Sequence, residues 1–174
     1  MLSGDLEFWT KEGTFGLKLD SETLHSILEA CRQSAPEETG GILVGHYTGD
    51  LNCAVVTGQS GRPVDSNSGR TWFSRGIAGL QKWLDELWCS SERSYYLGEW
   101  HYHPGTQAQP SPTDRNQMKR ITNDESYKCP EPILLIIGGT ANDASDLRAF
   151  VFVQSSDSPL DLVGSQNATA EEVE

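Results

Sequence analysis

Apolar residues recur along this chain with two periods. Leu24, Ile27, Leu28 and Cys31 are three and four apart, which predicts a helix from Asp20 or Ser21 to about Ser34 with one buried stripe. Ile77, Leu80, Leu84, Leu87 and Trp88 repeat that spacing and predict a second helix over 74–90, capped by Ser74. "SPTDRNQMKRITND" (111–124) opens a third, with Ser111 as N-cap and Pro112 at the first helical position. Elsewhere the pattern is that of strands. Residues 5–19 read as two short strands about a turn at Lys11–Gly13. "EETGGILVGHYTGDLNCAVVTG" reads as a hairpin turning at Thr48–Asp50. "SYYLGEWHYH" and "DLRAFVFVQ" are further strands, and the unbroken apolar run "PILLIIGG" reads as a central strand covered on both faces.

Two stretches lack either period. "SGRPVDSNSGRT" (60–71) is polar with Gly and Pro and is predicted as an exposed loop. Residues 155–174 turn polar and acidic and read as a flexible tail behind a single domain, 1–154. The order of elements predicts an α/β fold, a mixed β-sheet sandwiched by helices.

Composition narrows the function. The chain has 174 residues and a formal charge of −12, which argues against nucleic-acid binding and against an anionic membrane. No run of 18 apolar residues exists, so no transmembrane helix is expected. The start "MLSGDLEFWTKEG" is acidic where a signal peptide would be basic, and a cytoplasmic location is expected. Cys31, Cys53, Cys89 and Cys129 are widely spaced without a CxxC pair and read as free thiols.

The chemistry concentrates in "GEWHYHPGTQAQPSPTD" (98–114). Side chains two apart on a strand share a face, so His101 and His103 project together and Tyr102 faces away. Pro104–Gly105 ends the strand, and the seven residues before Ser111 let the next helix start fold back, bringing Asp114 to the same point. Two imidazoles and a carboxylate suit Zn²⁺ with a fourth position left open. A second reading stays open at each position: a His pair can be two polar residues at a strand end, and Ser111 with Asp114 can be a capping box. Glu99 shares the histidines' face, as a partner behind the ligands or in a surface salt bridge. Cys129 lies beyond the Asp114 helix, poorly placed to add a fourth ligand. A base for the metal's water would be Glu38, ahead of the Gly pair in "PEETGGILVG"; Glu37 competes and would point the other way.

"EETGGILVG" and "GEWHYHPGTQAQPSPTD" together resemble the two signature segments of the JAMM (MPN-plus) zinc metalloproteases. That pattern is a Glu before a Gly-rich strand, then His-x-His-Pro, and seven residues after the second His, Ser-x-x-Asp. The resemblance spans about residues 15–153, and "GEWH" is similar to the prokaryotic branch. It implies the JAMM/MPN, cytidine-deaminase-like fold. It also implies His101, His103 and Asp114 as Zn²⁺ ligands, Glu38 as general base and proton shuttle, and Ser111 as hydrogen-bond donor to the oxyanion. Tyr102 departs from the Ser common at its position.

The implied activity is hydrolysis of an amide or isopeptide bond after the C-terminus of a ubiquitin-like or conjugated protein. Compact members of this type resemble the deconjugating peptidases of bacterial CBASS anti-phage operons. There the partner would be a nucleotidyltransferase conjugate, with operon-encoded conjugating enzymes nearby. A peptidase of sulfur-carrier or other ubiquitin-like precursors is the alternative. A non-catalytic MPN module is a further one, against which the intact Glu–His–His–Ser–Asp set argues. An extended tail can add as a strand at an open sheet edge. By the resemblance, residues 60–73 would lie near its groove, with Arg62, Arg70, Trp72 and Phe73 to grip it; a plain surface loop is the competing reading.

Overall fold

The computed structural model describes residues 5–141 and 146–164. The strands are β1 (Leu6–Trp9), β2 (Gly16–Leu19), β3 (Thr39–Tyr47), β4 (Cys53–Gln59), β5 (Asn67–Ser68), β6 (Phe73–Ser74), β7 (Tyr95–Pro104), β8 (Ile133–Gly139), β9 (Leu147–Val151) and β10 (Leu160–Gly164). The helices are α1 (Ser21–Ser34), α2 (Leu80–Cys89) and α3 (Pro112–Asn123), with a 3-10 turn at Glu125–Tyr127.

Eight strands close into a ring in the order β1-β10-β9-β8-β7-β3-β4-β2, and β5 and β6 form a separate two-stranded hairpin. The ring is mixed: β2 runs parallel to β4 and β7 to β8, and the other pairs are antiparallel. Helices lie on both sides, as expected of a sheet between helices. One apolar cluster joins α1 (Leu24, Ile27, Leu28, Cys31) to Leu43, Trp100, Tyr102 and Leu135. The other joins α3 (Met118, Ile121) and, more loosely, α2 to Ile42, Tyr96, Leu134 and Ile136. β8 alternates between the two clusters, so both its faces are covered and its sequence needs no polar position.

Closure corrects the expected sandwich, and it depends on residues assigned above to the tail. β10 pairs with β1 on one side and with β9 on the other. Leu162 is buried and packs in the α1 cluster, so the domain reaches at least Gly164. The strand is short and set among acidic and polar residues, and pairing on both sides, not composition, makes it a strand. The rest of the expected tail lies outside the described residues.

The second helix also starts later than its periodicity predicts. Asp65 accepts the amides of Ile77 and Ala78 through its carboxylate, and the Ser66 hydroxyl accepts the Gly76 amide. These bonds hold 76–78 in a loop, and Gly79, with φ of 78°, caps the helix in a conformation that favours glycine. Ser74 lies in β6 and caps nothing.

Candidate metal centre

β7 carries the centre on its α3-facing side. His101 and His103 point that way, while Trp100 and Tyr102 enter the α1 cluster, so Tyr102 does face away. A bulge sets the phase: Leu43 pairs with Gly98 but Val44 pairs with Tyr96, which leaves Leu97 unopposed. Tyr96 and Glu99, three apart, therefore share the histidines' side of the sheet. The Tyr96 hydroxyl donates to Glu99 Oε1 at 3.0 Å.

α3 brings the third side chain. Ser111 and Asp114 form a complete capping box: the Asp114 amide donates to Ser111 Oγ (3.1 Å), and the Ser111 amide donates to Asp114 Oδ2 (2.7 Å). The box fixes the carboxylate against β7. His101 Nδ1 lies 2.8 Å from Asp114 Oδ1, and His103 Nε2 lies 3.4 Å from Asp114 Oδ2. All three are buried, and potential ligand atoms from them lie within 4.8 Å of one another. The capping and metal readings of Asp114 are therefore compatible, because one carboxylate serves both contacts.

The electrostatics follow from this contact. Burial pushes the Asp114 carboxyl up, but the His101 and His103 hydrogen bonds outweigh it and hold it far below the carboxylate range. Burial pushes His103 down, yet Asp114, then Glu38, lift it above its ordinary value. Glu38 is half-buried; burial raises its carboxyl, partly offset by His103, and the Asp114 charge adds to the rise. Glu38 thus lies within the electrostatic reach of all three. Its amide donates to Gly69 O at 2.9 Å, anchoring it to the β5–β6 hairpin. Glu37 turns elsewhere and accepts from the Ser68 hydroxyl at 2.8 Å.

His101 Nε2 is buried without a hydrogen-bond partner among the described residues. An orphaned imidazole nitrogen is costly unless something occupies it. Together with the converging His103 and Asp114, it makes the residues fit a metal ion. Cys129 is no fourth ligand: its thiol meets the Tyr47 hydroxyl and Leu97 O in the neighbouring cluster.

The stretch expected as a loop contains β5 and leads into β6 just beyond it, and this hairpin lies against the centre. The Phe73 ring meets the His101 ring edge-on, centroids 5.7 Å apart. Arg62 stacks over Phe73, with Cζ 5.9 Å from the ring centroid, and also donates to Ser68 Oγ and Ser66 O. Trp72 and Arg70 are exposed on the hairpin turn. Gly40, opposite His101 in the β3–β7 ladder, has no room for a Cβ, which would fall 2.5 Å from Trp100 O and 2.9 Å from His101 Cδ2. Its place in a Gly-Gly pair before an apolar run was the available signal.

Glu99 is in no surface salt bridge. Its fully buried carboxylate takes a bidentate pair from Arg75, with Nε to Oε2 at 2.6 Å and Nη2 to Oε1 at 2.9 Å. Nothing in the local sequence marked Arg75 for this role.

Residues 20–153 match the family described as prokaryotic homologs of the JAB domain. The chain is 35% identical over 158 residues, 91% of its own length and 86% of the relative's, to a "CD-NTase/cGAS isopeptidase" of Enterobacter hormaechei subsp. hoffmannii (strain UCI 50). It is 32% identical over 124 residues, 67% of the chain and 75% of the relative, to a "Probable metalloprotease y4qB" of Sinorhizobium fredii (strain NBRC 101917 / NGR234). The solution structure of protein DSY2949 from Desulfitobacterium hafniense superposes with a TM-score of 0.56 at 21% identity, covering 83% of this chain and 86% of that one. None of the helices among the described residues is long and apolar enough to cross a membrane.

Proposed function

The chain belongs to the prokaryotic JAB-domain family, and on that premise we propose that it is a zinc-dependent isopeptidase. The bond cut is the amide that follows the C-terminus of a ubiquitin-like protein or of a protein conjugated in the same way. The observation that carries this reading is the buried, unpartnered Nε2 of His101 beside His103 and Asp114, with Glu38 in electrostatic range.

His101, His103 and Asp114 would hold Zn²⁺. When bound, the ion supplies a Lewis acid that acidifies water and polarises a carbonyl. The remaining steps belong to the chain's own residues. Glu38, whose carboxyl is pushed up by burial, takes a proton from the attacking water and delivers it to the departing amine. Ser111 accepts the Asp114 amide with its oxygen and keeps its own hydroxyl proton to donate to the oxyanion. Residues 60–73 line the approach for an extended tail, with Phe73 and Arg62 nearest the centre and Trp72 and Arg70 further along the hairpin.

The similarity over nearly the whole chain to the "CD-NTase/cGAS isopeptidase" of Enterobacter hormaechei supports a nucleotidyltransferase conjugate as the substrate. We place its action in the cytoplasm and in anti-phage defence. The test is incubation of the zinc-loaded protein with an amide-linked nucleotidyltransferase conjugate, followed by mass spectrometry. Release of an intact C-terminal carboxylate is expected. A conjugate left whole by the loaded protein, but cut by a relative of this type, would overturn the substrate assignment.

A further inference from the structure

We propose that the buried Arg75–Glu99–Tyr96 cluster is a positioning device that seats the β5–β6 hairpin against the metal-bearing strand. Arg75 and Glu99 are joined by two hydrogen bonds of 2.6 and 2.9 Å, and Tyr96 adds a third to the same carboxylate at 3.0 Å. Arg75 also donates to Gly76 O at 2.9 Å, which ties its guanidinium to the backbone leaving the hairpin. The side chains of Arg75 and Glu99 are 7% and 0% exposed, so both charges have left water.

Burial at that depth is a poor way to gain stability. Two buried charges lose most of their mutual attraction to desolvation, and an apolar replacement of similar volume is often as stable. What a bidentate pair supplies is direction: a planar fork on a carboxylate fixes distance and angle, which apolar contact does not. The place where direction matters is adjacent on both chains. Arg75 directly follows β6, two residues from Phe73, whose ring meets His101. Glu99 precedes His101 by two residues on the same side of β7. The cluster therefore joins the hairpin to the strand one step from the point where Phe73 touches a proposed ligand.

The hairpin needs such an anchor. Its two strands share two residue pairs, and an isolated two-stranded hairpin is marginal in water. It also receives the Glu38 amide at Gly69 O, so its placement sets the backbone carrying the proposed base. The effect on catalysis rests on the peptidase reading; the coupling between cluster and hairpin does not.

The test uses the full chain in two forms, Arg75→Met alone and the triple variant Arg75→Met, Tyr96→Phe, Glu99→Leu. The single variant strands a buried carboxylate and is expected to lose thermal stability. The triple variant removes all three polar side chains at once, leaving no buried charge unpaired, and is expected to keep the wild-type unfolding midpoint. In the triple variant the Glu38 and Gly69 amides are expected to exchange hydrogen at least about tenfold faster, because the hairpin opens locally. The His101 ring-proton resonances, shifted by Phe73, are expected to move in step. Unchanged exchange and unmoved His101 resonances in the folded triple variant would overturn the proposal. These readouts need no substrate, so they decide it even if the protein cleaves nothing. If the wild type is an active peptidase, the triple variant is expected to lose about tenfold or more in kcat/KM with its zinc content intact; full activity there would overturn the catalytic role.

Discussion

His101 Nδ1 lies 2.8 Å from Asp114 Oδ1, so the strand and the helix that build the centre meet through two of its proposed ligands. The buried Nε2 on the same ring is left for another partner. One equivalent of zinc is expected to co-purify, and His103→Ala is expected to bring it near zero by elemental analysis. Full zinc content in that variant would remove the metal assignment.

Glu38 is assigned no ligand role, and its variants should separate binding from chemistry. Glu38→Ala is expected to retain zinc and lose about 10²- to 10⁴-fold in kcat, the usual worth of a positioned base. Wild-type turnover in this variant would place the base elsewhere.

Ser111 carries a structural and a chemical role that two substitutions can divide. Ser111→Ala removes cap and hydroxyl together, costing about 1 kcal/mol of stability. Ser111→Gly removes the hydroxyl but costs a cap only a few tenths of a kcal/mol. Both are expected to lose about 10²-fold or more in kcat. If kcat follows the loss of stability and the Gly variant stays active, Ser111 is a cap and nothing more.

The charge pattern predicts how metal binding varies with pH. Asp114 and Glu38 hold the His103 pKa up, so a proton competes with the ion over a wider range than at an ordinary histidine. Apparent zinc affinity is expected to rise about tenfold per pH unit while one proton is displaced, then level off above the raised pKa. In the metal-free protein the same shift adds stability that is full below the unfolded pKa of about 6.5 and fades as pH climbs through the folded one. Asp114 works at the acid end: its depressed pKa adds stability present above about 3.9 and lost as pH falls through the folded value. Calorimetric zinc titrations between about pH 6 and 8 check the first statement; a flat affinity would contradict it.

Ring closure gives a prediction far from the centre. Leu162 fills the α1 cluster from β10, and Leu162→Ala is expected to cost about 2–5 kcal/mol in denaturant unfolding. A variant as stable as wild type would mean that β10 does not hold the ring.

Much of the centre was legible because its signals are local. Alternation along β7 places His101 with His103, and Ser-Pro-x-Asp announces the helix start that presents Asp114. The hairpin of β3 and β4 and the covered strand β8 follow from apolar runs of the right length. What was hidden depends on residues far apart in sequence. β10 becomes a strand by pairing with β1 and β9, which no reading of "PLDLVG" supplies. The late start of α2 depends on Asp65 and Ser66, about a dozen residues upstream. Glu99 found its partner in Arg75, 24 residues away, and the bulge at Leu97 decided that Tyr96 would join them.

A chain of strands bent into a ring has no first and last member, and this limits edge-to-edge pairing between copies. Exposed strand edges are templates on which copies of a protein stack and aggregate. Here β10 removes the two edges that β1 and β9 would otherwise offer. Among the described residues the remaining edges belong to the β5–β6 hairpin, whose strands are two residues long. They are too short to nucleate a stack of like chains, and β6 lies beside His101 through Phe73. The closed topology thus leaves, among the described residues, its open backbone edges on a short hairpin next to the centre.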